Sequence, residues 1–190
     1  MLRNTSPSLK ADLGLVLTTI IWGTTFPLIR ESMQHIEPAW FVAIRFSITF
    51  LIFIPIALSQ GLGTVMAEFR RAKWGAFLLG ALAWTSYLTQ TIGLQTISAG
   101  RAAFITGTCV VIVPLISPLF GTPKWATSTA GYVTSRPERC DWVAVAFATA
   151  GLFLLTRPDL GGASLVGDAW VLVCAFVCAL YIRFLPMFAT

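Results

Sequence analysis

The feature that most constrains this chain is a series of apolar runs, each about 15–23 residues long, separated by short polar segments. About 20 apolar residues in a helix cross the roughly 30 Å hydrocarbon core of a bilayer. Only 11% of the residues are charged and 56% are hydrophobic, whereas soluble domains have about 25% charged residues. The runs lack the strict alternation of a membrane barrel, so helices are the structure that satisfies the backbone in lipid. The sequence predicts an all-α, polytopic transmembrane helix bundle.

The apolar runs predict about six membrane-spanning helices. The fifth run is short for a full crossing, so five spans is the alternative count. The predicted spans are residues 13–29, 39–58, 74–96, 102–120, 142–156 and 169–188.

Lysine and arginine in the loops predict the orientation of the chain. An N-terminus in the cytoplasm places eight basic residues on the inner side and three on the outer side, as the positive-inside rule requires. The net charge of +5 is therefore explained by membrane orientation. No block of five basic residues occurs, so the lipid bilayer is expected as a partner and nucleic acid is not. The inner set is Arg3, Lys10, Arg70, Arg71, Lys73, Lys124, Arg136 and Arg139, and the outer set is Arg30, Arg101 and Arg157.

Arg45 is a charged residue about seven positions inside the second predicted span. Its burial in lipid without a partner costs at least about 2.5–3.5 kcal/mol near a helix centre, so it should face the bundle interior or water. It is either a gate or contact for an anionic substrate, or a structural, snorkelling residue.

The third span carries polar side chains in its middle. Ser86 and Gln90 are four residues apart on one helical face, and Tyr87 lies on the neighbouring stripe. Such a belt lines a cavity or joins helices by hydrogen bonds, and the two readings remain open.

Helix-breaking residues occur in the first and fourth spans. Pro27 removes a backbone hydrogen bond close to Trp22, and Pro114 and Pro118 do so in the inner half of the fourth span. These prolines predict kinks, either beside a cavity or as ordinary packing features. Trp22 and Thr106 join Arg45, Ser86, Tyr87 and Gln90 as candidate residues of a substrate cavity.

Catalytic and metal-binding patterns are not evident. No carboxylate lies deep in a span, and the sequence lacks a Ser/His/Asp set, a zinc motif and a phosphate-binding loop. Cys174 and Cys178 share a helical face, but cysteine is common in apolar cores, so packing is the expected role. The chain is therefore not expected to be an enzyme, and it is expected to need no metal or cofactor.

A weak internal repeat relates the segments that begin at Asp12 and at Asp168. Each has an acidic residue at the mouth of an apolar span. Because five spans separate the two starts, the second copy would enter from the opposite face, as in inverted-repeat transporters. The predicted organisation is a first five-helix repeat over residues 1–157 and the first helix of a second repeat over residues 167–190.

The order of several short motifs resembles the EamA-type members of the drug/metabolite transporter superfamily. The resemblance implies ten helices in two inverted five-helix repeats, with transport of small metabolites, amino acids or drug-like molecules across the inner membrane, often outward. After the fourth span this chain has Gly121-Thr122 where the family usually has Gly-Glu. The matching positions are Trp22-Gly23, Phe26, Pro38, Arg45-Phe46, Gly93-Leu94, Ser98-Ala99-Gly100, Pro114, Gly151 and Gly167-Asp168.

Three hypotheses follow for the function. The first is an alternating-access transporter of which this chain supplies one repeat and one further helix, with the rest of the second repeat missing. The second is a non-transporting membrane scaffold or helix-bundle partner. The third is a dimer in which each chain contributes one repeat.

Overall fold

The computed structural model describes residues 9–116, 139–156 and 164–188, and these ranges contain helices and no strands. The predicted all-α bundle is therefore confirmed. The helices are α1 (Leu9–Ser32), α2 (Pro38–Ser59), α3 (Leu62–Leu94), α4 (Ala99–Gly107), α5 (Cys109–Ile116), α6 (Arg139–Thr156) and α7 (Leu165–Phe188).

Four segments of the described chain are long and apolar enough to cross a membrane: Asp12–Ser32, Pro38–Ser59, Ala99–Ile116 and Leu165–Leu185. They correspond to the predicted first, second, fourth and sixth spans. The third and fifth predicted spans lie in α3 and α6, which are not among these four segments. The count of six therefore stays a prediction.

Local sequence signals explain where several helices begin. Pro38 is the first residue of α2, where its missing N–H costs nothing. Gly61 precedes α3 with φ of 88°, a conformation that favours glycine. Ser98 caps α4 by accepting a hydrogen bond from the Arg101 backbone N–H at 3.3 Å.

The structure differs from the predicted spans in two helices. α3 begins at Leu62, twelve residues before the predicted start at Trp74, because the charged segment before Trp74 continues the helix. The predicted fourth span is divided at Thr108, whose hydroxyl donates to the Ile105 carbonyl at 2.6 Å. The Thr108 backbone N–H donates to the same carbonyl at 3.1 Å, so the chain makes an i–3 turn at that point.

α7 is the central helix of the described bundle and packs antiparallel along α3. Three pairs of neighbours mark the crossing: Gly93 with Gly167, Ser86 with Cys174, and Gly75 with Phe188. The buried face of α7 carries small side chains that allow this approach. Its buried apolar residues are Val171, Cys174, Ala175 and Ala179.

A cluster of buried apolar side chains fills the end of the bundle where α3 is joined to α4. Its members come from the ends of α1 and α3, the turns that follow these helices, and the first two turns of α4 and α7. We call it the end cluster, and it consists of Ile29, Met33, Leu94, Ile97, Ala102 and Val171, with Phe26, Phe41 and Ile105 packed against it.

The other surfaces of the first two helices are apolar and exposed. Only 6% of each membrane segment of α1 and α2 is buried inside the structure, against 28% for α7. Exposed faces of this kind suit lipid or further helices.

Candidate functional site

A cavity of about 180 Å³ lies between α1, α3, α4 and α7. Aromatic and small polar side chains share its wall. Its lining residues are Trp22, Ala83, Ser86, Tyr87, Gln90, Thr106, Cys178, Tyr181 and Ile182.

Five of the six predicted cavity residues are brought together around this space: Trp22, Ser86, Tyr87, Gln90 and Thr106. The positions of Ser86, Tyr87 and Gln90 follow from helical periodicity, because residues three and four apart share one side of α3. Whether these side chains bind a substrate stays a prediction.

Arg45, the sixth predicted residue, is not among the lining residues but contacts one of them, Tyr87. Its guanidinium carbon lies 4.3 Å from the centre of the Tyr87 ring, which is a cation–π contact. Phe46 meets the same ring edge-on, with the two ring centres 5.7 Å apart. Both neighbours from α2 therefore pack against Tyr87, and this ring connects Arg45 to the cavity wall.

Hydrogen bonds connect the polar side chains of the cavity to one another. The Gln90 amide Nε2 donates to Thr106 Oγ1 at 3.3 Å and links α3 to α4. Ser86 Oγ and Cys174 Sγ are 3.4 Å apart and link α3 to α7. The polar belt of α3 therefore both lines a cavity and joins helices, which combines the two readings of the sequence.

Two of the three predicted kink residues lie in described helices, and a bend at either stays a prediction. Pro27 lies inside α1 and Pro114 inside α5, both in continuous helix, and the break in the fourth span occurs instead at Thr108. Pro118 lies outside the described residues. Pro27 has no N–H to donate to the Gly23 carbonyl. The Thr24 and Thr25 hydroxyls do not replace this donor, because they donate to the Ile21 and Trp22 carbonyls at 2.8 and 2.6 Å.

Sequence reasoning missed the contribution of α7 to the cavity wall. Cys178, Tyr181 and Ile182 lie at i, i+3 and i+4, the spacing of one helical face, and that spacing is the signal that could have found them. Arg183, near the end of α7, is fully buried, with 0% exposure.

The cavity is suited to binding a small molecule with polar groups. It offers an amide, hydroxyls and aromatic rings, and none of the described lining residues is acidic. Among residues 9–116, 139–156 and 164–188, no group of three or more His, Cys, Asp or Glu is placed to hold a metal ion.

The helices and the cavity define a multi-pass helical membrane protein with a polar site between its helices. The sequence profile of the EamA-like transporter family matches residues 9–157. The chain therefore belongs to this family.

Two curated relatives are also named as transporters. An uncharacterized transporter of Archaeoglobus fulgidus is 37% identical over 109 residues, which are 57% of this chain and 32% of that protein. The uncharacterized transporter YrdR of Bacillus subtilis is 23% identical over 159 residues, 82% of this chain and 46% of that protein. The chain thus spans less than half the length of either relative. No solved structure is significantly similar to it.

Proposed function

We propose that the chain is part of a secondary transporter that exports small molecules across the cell (inner) membrane by alternating access. The cavity between α1, α3, α4 and α7 carries this proposal, because it places hydrogen-bonding and aromatic side chains among membrane helices. Family membership and the names of the two relatives support it.

We further propose that residues 1–157 form a first repeat and that residues 167–190 begin a second. The volume of about 180 Å³ is smaller than the roughly 300–1,000 Å³ of most ligand sites. A wall supplied by a second repeat would enlarge it. The packing of α7 between α3, α4 and α5 is consistent with a site built where two repeats meet.

The chemistry of the wall favours small metabolites, amino acids or drug-like molecules that are uncharged or anionic overall. The described lining lacks a carboxylate to pair with a cation, and the Arg45 guanidinium contacts the ring of the lining residue Tyr87. Gln90 and Thr106 can exchange their mutual hydrogen bond for bonds to a substrate.

Efflux measurements on cells that express the protein test this function. A panel of radiolabelled metabolites and toxic analogues is compared between wild type and Gln90→Ala. Loss of one hydrogen-bonding side chain costs about 0.5–1.5 kcal/mol, so efflux of the substrate should fall about two- to tenfold. Thr18→Ala is the matched control, because Thr18 is exposed and its hydroxyl bonds only the Gly14 carbonyl of its own helix.

Arg45→Ala tests the role of the Arg45 guanidinium, which contacts the Tyr87 ring. The cation–π contact is worth about 0.5–2 kcal/mol, so we expect transport to fall more than membrane abundance, with partial recovery in Arg45→Lys. An equal loss of transport and abundance would assign Arg45 a structural role. Stable expression without efflux of any compound would favour a membrane scaffold instead.

A further inference from the structure

Arg101 and Asp168 form a two-pronged ion pair between α4 and α7. Arg101 Nε donates to Asp168 Oδ1 at 2.7 Å, and Nη2 donates to Oδ2 at 2.6 Å. The two side chains are only 15% and 20% exposed. Paired geometry of this kind is stronger and more directional than a single surface contact.

The ion pair with Asp168, and not the stability of α4, accounts for an arginine at position 101. A basic residue in the first turn of a helix meets the positive end of the helix dipole, which is unfavourable. Asp168 stands in the first turn of α7, where a negative charge is favourable. The aspartate therefore compensates the placement of Arg101 and draws the starts of α4 and α7 together.

Close packing surrounds the ion pair at the same end of the bundle. A Cβ at Gly93 would lie 2.9 Å from the Gly167 carbonyl oxygen, so the backbones of α3 and α7 almost touch. The Arg30 guanidinium also donates to the Ile97 carbonyl and attaches the end of α1. The end cluster fills the space between these contacts.

The cavity lies deeper in the bundle than this closed end. Thr106 follows Arg101 by five residues, or about 7.5 Å along a helix, and Gln90 precedes Gly93 by about 4.5 Å. A molecule in the cavity that leaves toward the α3–α4 turn must therefore pass the end cluster and the ion pair.

We propose that the Arg101–Asp168 pair is a latch that holds this end of the cavity closed and separates when the end opens. The proposal rests on the proposed transport function, since alternating access requires each end to open in turn. It joins a helix of the first proposed repeat to the first helix of the second, so its separation removes one of the contacts that hold the two together at this end.

Accessibility of Cys178 tests the latch without any substrate. Cys178 lines the cavity, and the variant Cys109→Ser/Cys140→Ser/Cys174→Ser leaves it as the reporter thiol. A membrane-impermeant maleimide is added from the side of the α3–α4 turn, and Gln95→Cys, at an exposed position in that turn, identifies this side. Intact cells expose the outer face of the membrane to the maleimide, and inverted vesicles expose the cytoplasmic face.

Asp168→Asn should raise the labelling rate of Cys178 from that side at least about fivefold, the lower limit of typical coupling between sites. The exchanged pair Arg101→Asp/Asp168→Arg should return the rate toward wild type. Glu37→Gln is the matched control, because it makes the same change at the same end on an exposed residue without a capping bond.

An unchanged rate in a properly folded Asp168→Asn protein would overturn the latch, as would an equal increase in Glu37→Gln. Folding is checked by size-exclusion chromatography in detergent. If Asp168→Asn aggregates, Asp168→Glu and Arg101→Lys keep both charges but disturb the paired geometry, and each should give an intermediate increase. No increase in those variants would equally overturn the proposal. Loss of efflux activity leaves the labelling result intact, so the two proposals fail separately.

Discussion

At the scale of single residues, two glycines determine how closely α3 and α7 approach. A Cβ at Gly167 would lie 2.2 Å from Thr96 Oγ1 and 2.7 Å from Ile97 Cγ2, distances that real Cβ atoms do not tolerate. A Cβ at Gly93 would lie 2.3 Å from Val171 Cγ2. Small residues permit such contact between membrane helices, where dispersion and not the hydrophobic effect drives association. The absence of a side chain at these positions is therefore a packing requirement.

Gly167→Ala should destabilise the protein by about 1–3 kcal/mol, the usual cost of adding a methyl group to a filled interface. The measurement is the thermal unfolding midpoint of the purified protein in detergent. Gly80→Ala in α3 is the matched control, because no heavy atom lies within 4 Å of its added Cβ. Alanine is the better helix former, so the control should be neutral or slightly stabilising. Equal midpoints for both variants would contradict the tight crossing.

At the scale of secondary-structure elements, the antiparallel pairing of α3 with α7 organises the cavity. The pairing places Ser86 opposite Cys174 and, one turn further along each helix, Ala83 and Cys178 at the cavity wall. On the facing sides of α3 and α7, some residues thus contact the partner helix and others line the cavity. A register shift of one turn would move the polar belt of α3 out of the site.

Ser86→Cys should form a disulfide with Cys174 under mild oxidation, because the two side-chain atoms are already 3.4 Å apart. The Cys109→Ser/Cys140→Ser/Cys178→Ser background removes competing thiols, and mass spectrometry of alkylated protein detects the bridge. Trp84→Cys, two residues earlier on an exposed side of α3, is the control and should remain reduced. A bridge in the control but not at position 86 would show that the register is wrong.

Periodicity within one helix made part of this arrangement predictable. The polar belt of α3 identified Ser86, Tyr87 and Gln90 because their common face depends only on helical geometry. The α7 wall was missed because the spacing of Cys178, Tyr181 and Ile182 defines a helical face but not the helices that this face meets. The Arg101–Asp168 pair likewise joins residues 67 positions apart. The break at Thr108 was not predicted, because the sequence drew attention to the nearby prolines instead.

At the scale of the whole molecule, the bundle is closed at one end and has exposed apolar helices at its sides. α1 contributes Trp22 to the cavity, yet 52% of this side chain is exposed. This exposure fits a wall that is completed by further helices, either a second repeat or a second copy of the chain. Both completions would place additional side chains opposite α3 and α7.

The orientation of the molecule determines which side of the membrane the closed end faces. Eight basic loop residues on one side against three on the other predict that the N-terminus and the α2–α3 connection are cytoplasmic. The α3–α4 turn, the end cluster and the Arg101–Asp168 pair then face the opposite side. The structure would accordingly represent an outward-closed state.

Single cysteines introduced into an otherwise cysteine-free chain test this orientation. Gln95→Cys should react with an impermeant maleimide in intact cells, whereas Ser59→Cys, at the end of α2, should react only in inverted vesicles. Both positions are exposed at helix ends, so their reactivity differs by side and not by burial. Replacement of Arg70, Arg71 and Lys73 by glutamine should weaken the preference, because lysine and arginine carry the positive-inside signal. The reverse pattern of labelling would place the N-terminus outside and the latch at the cytoplasmic end.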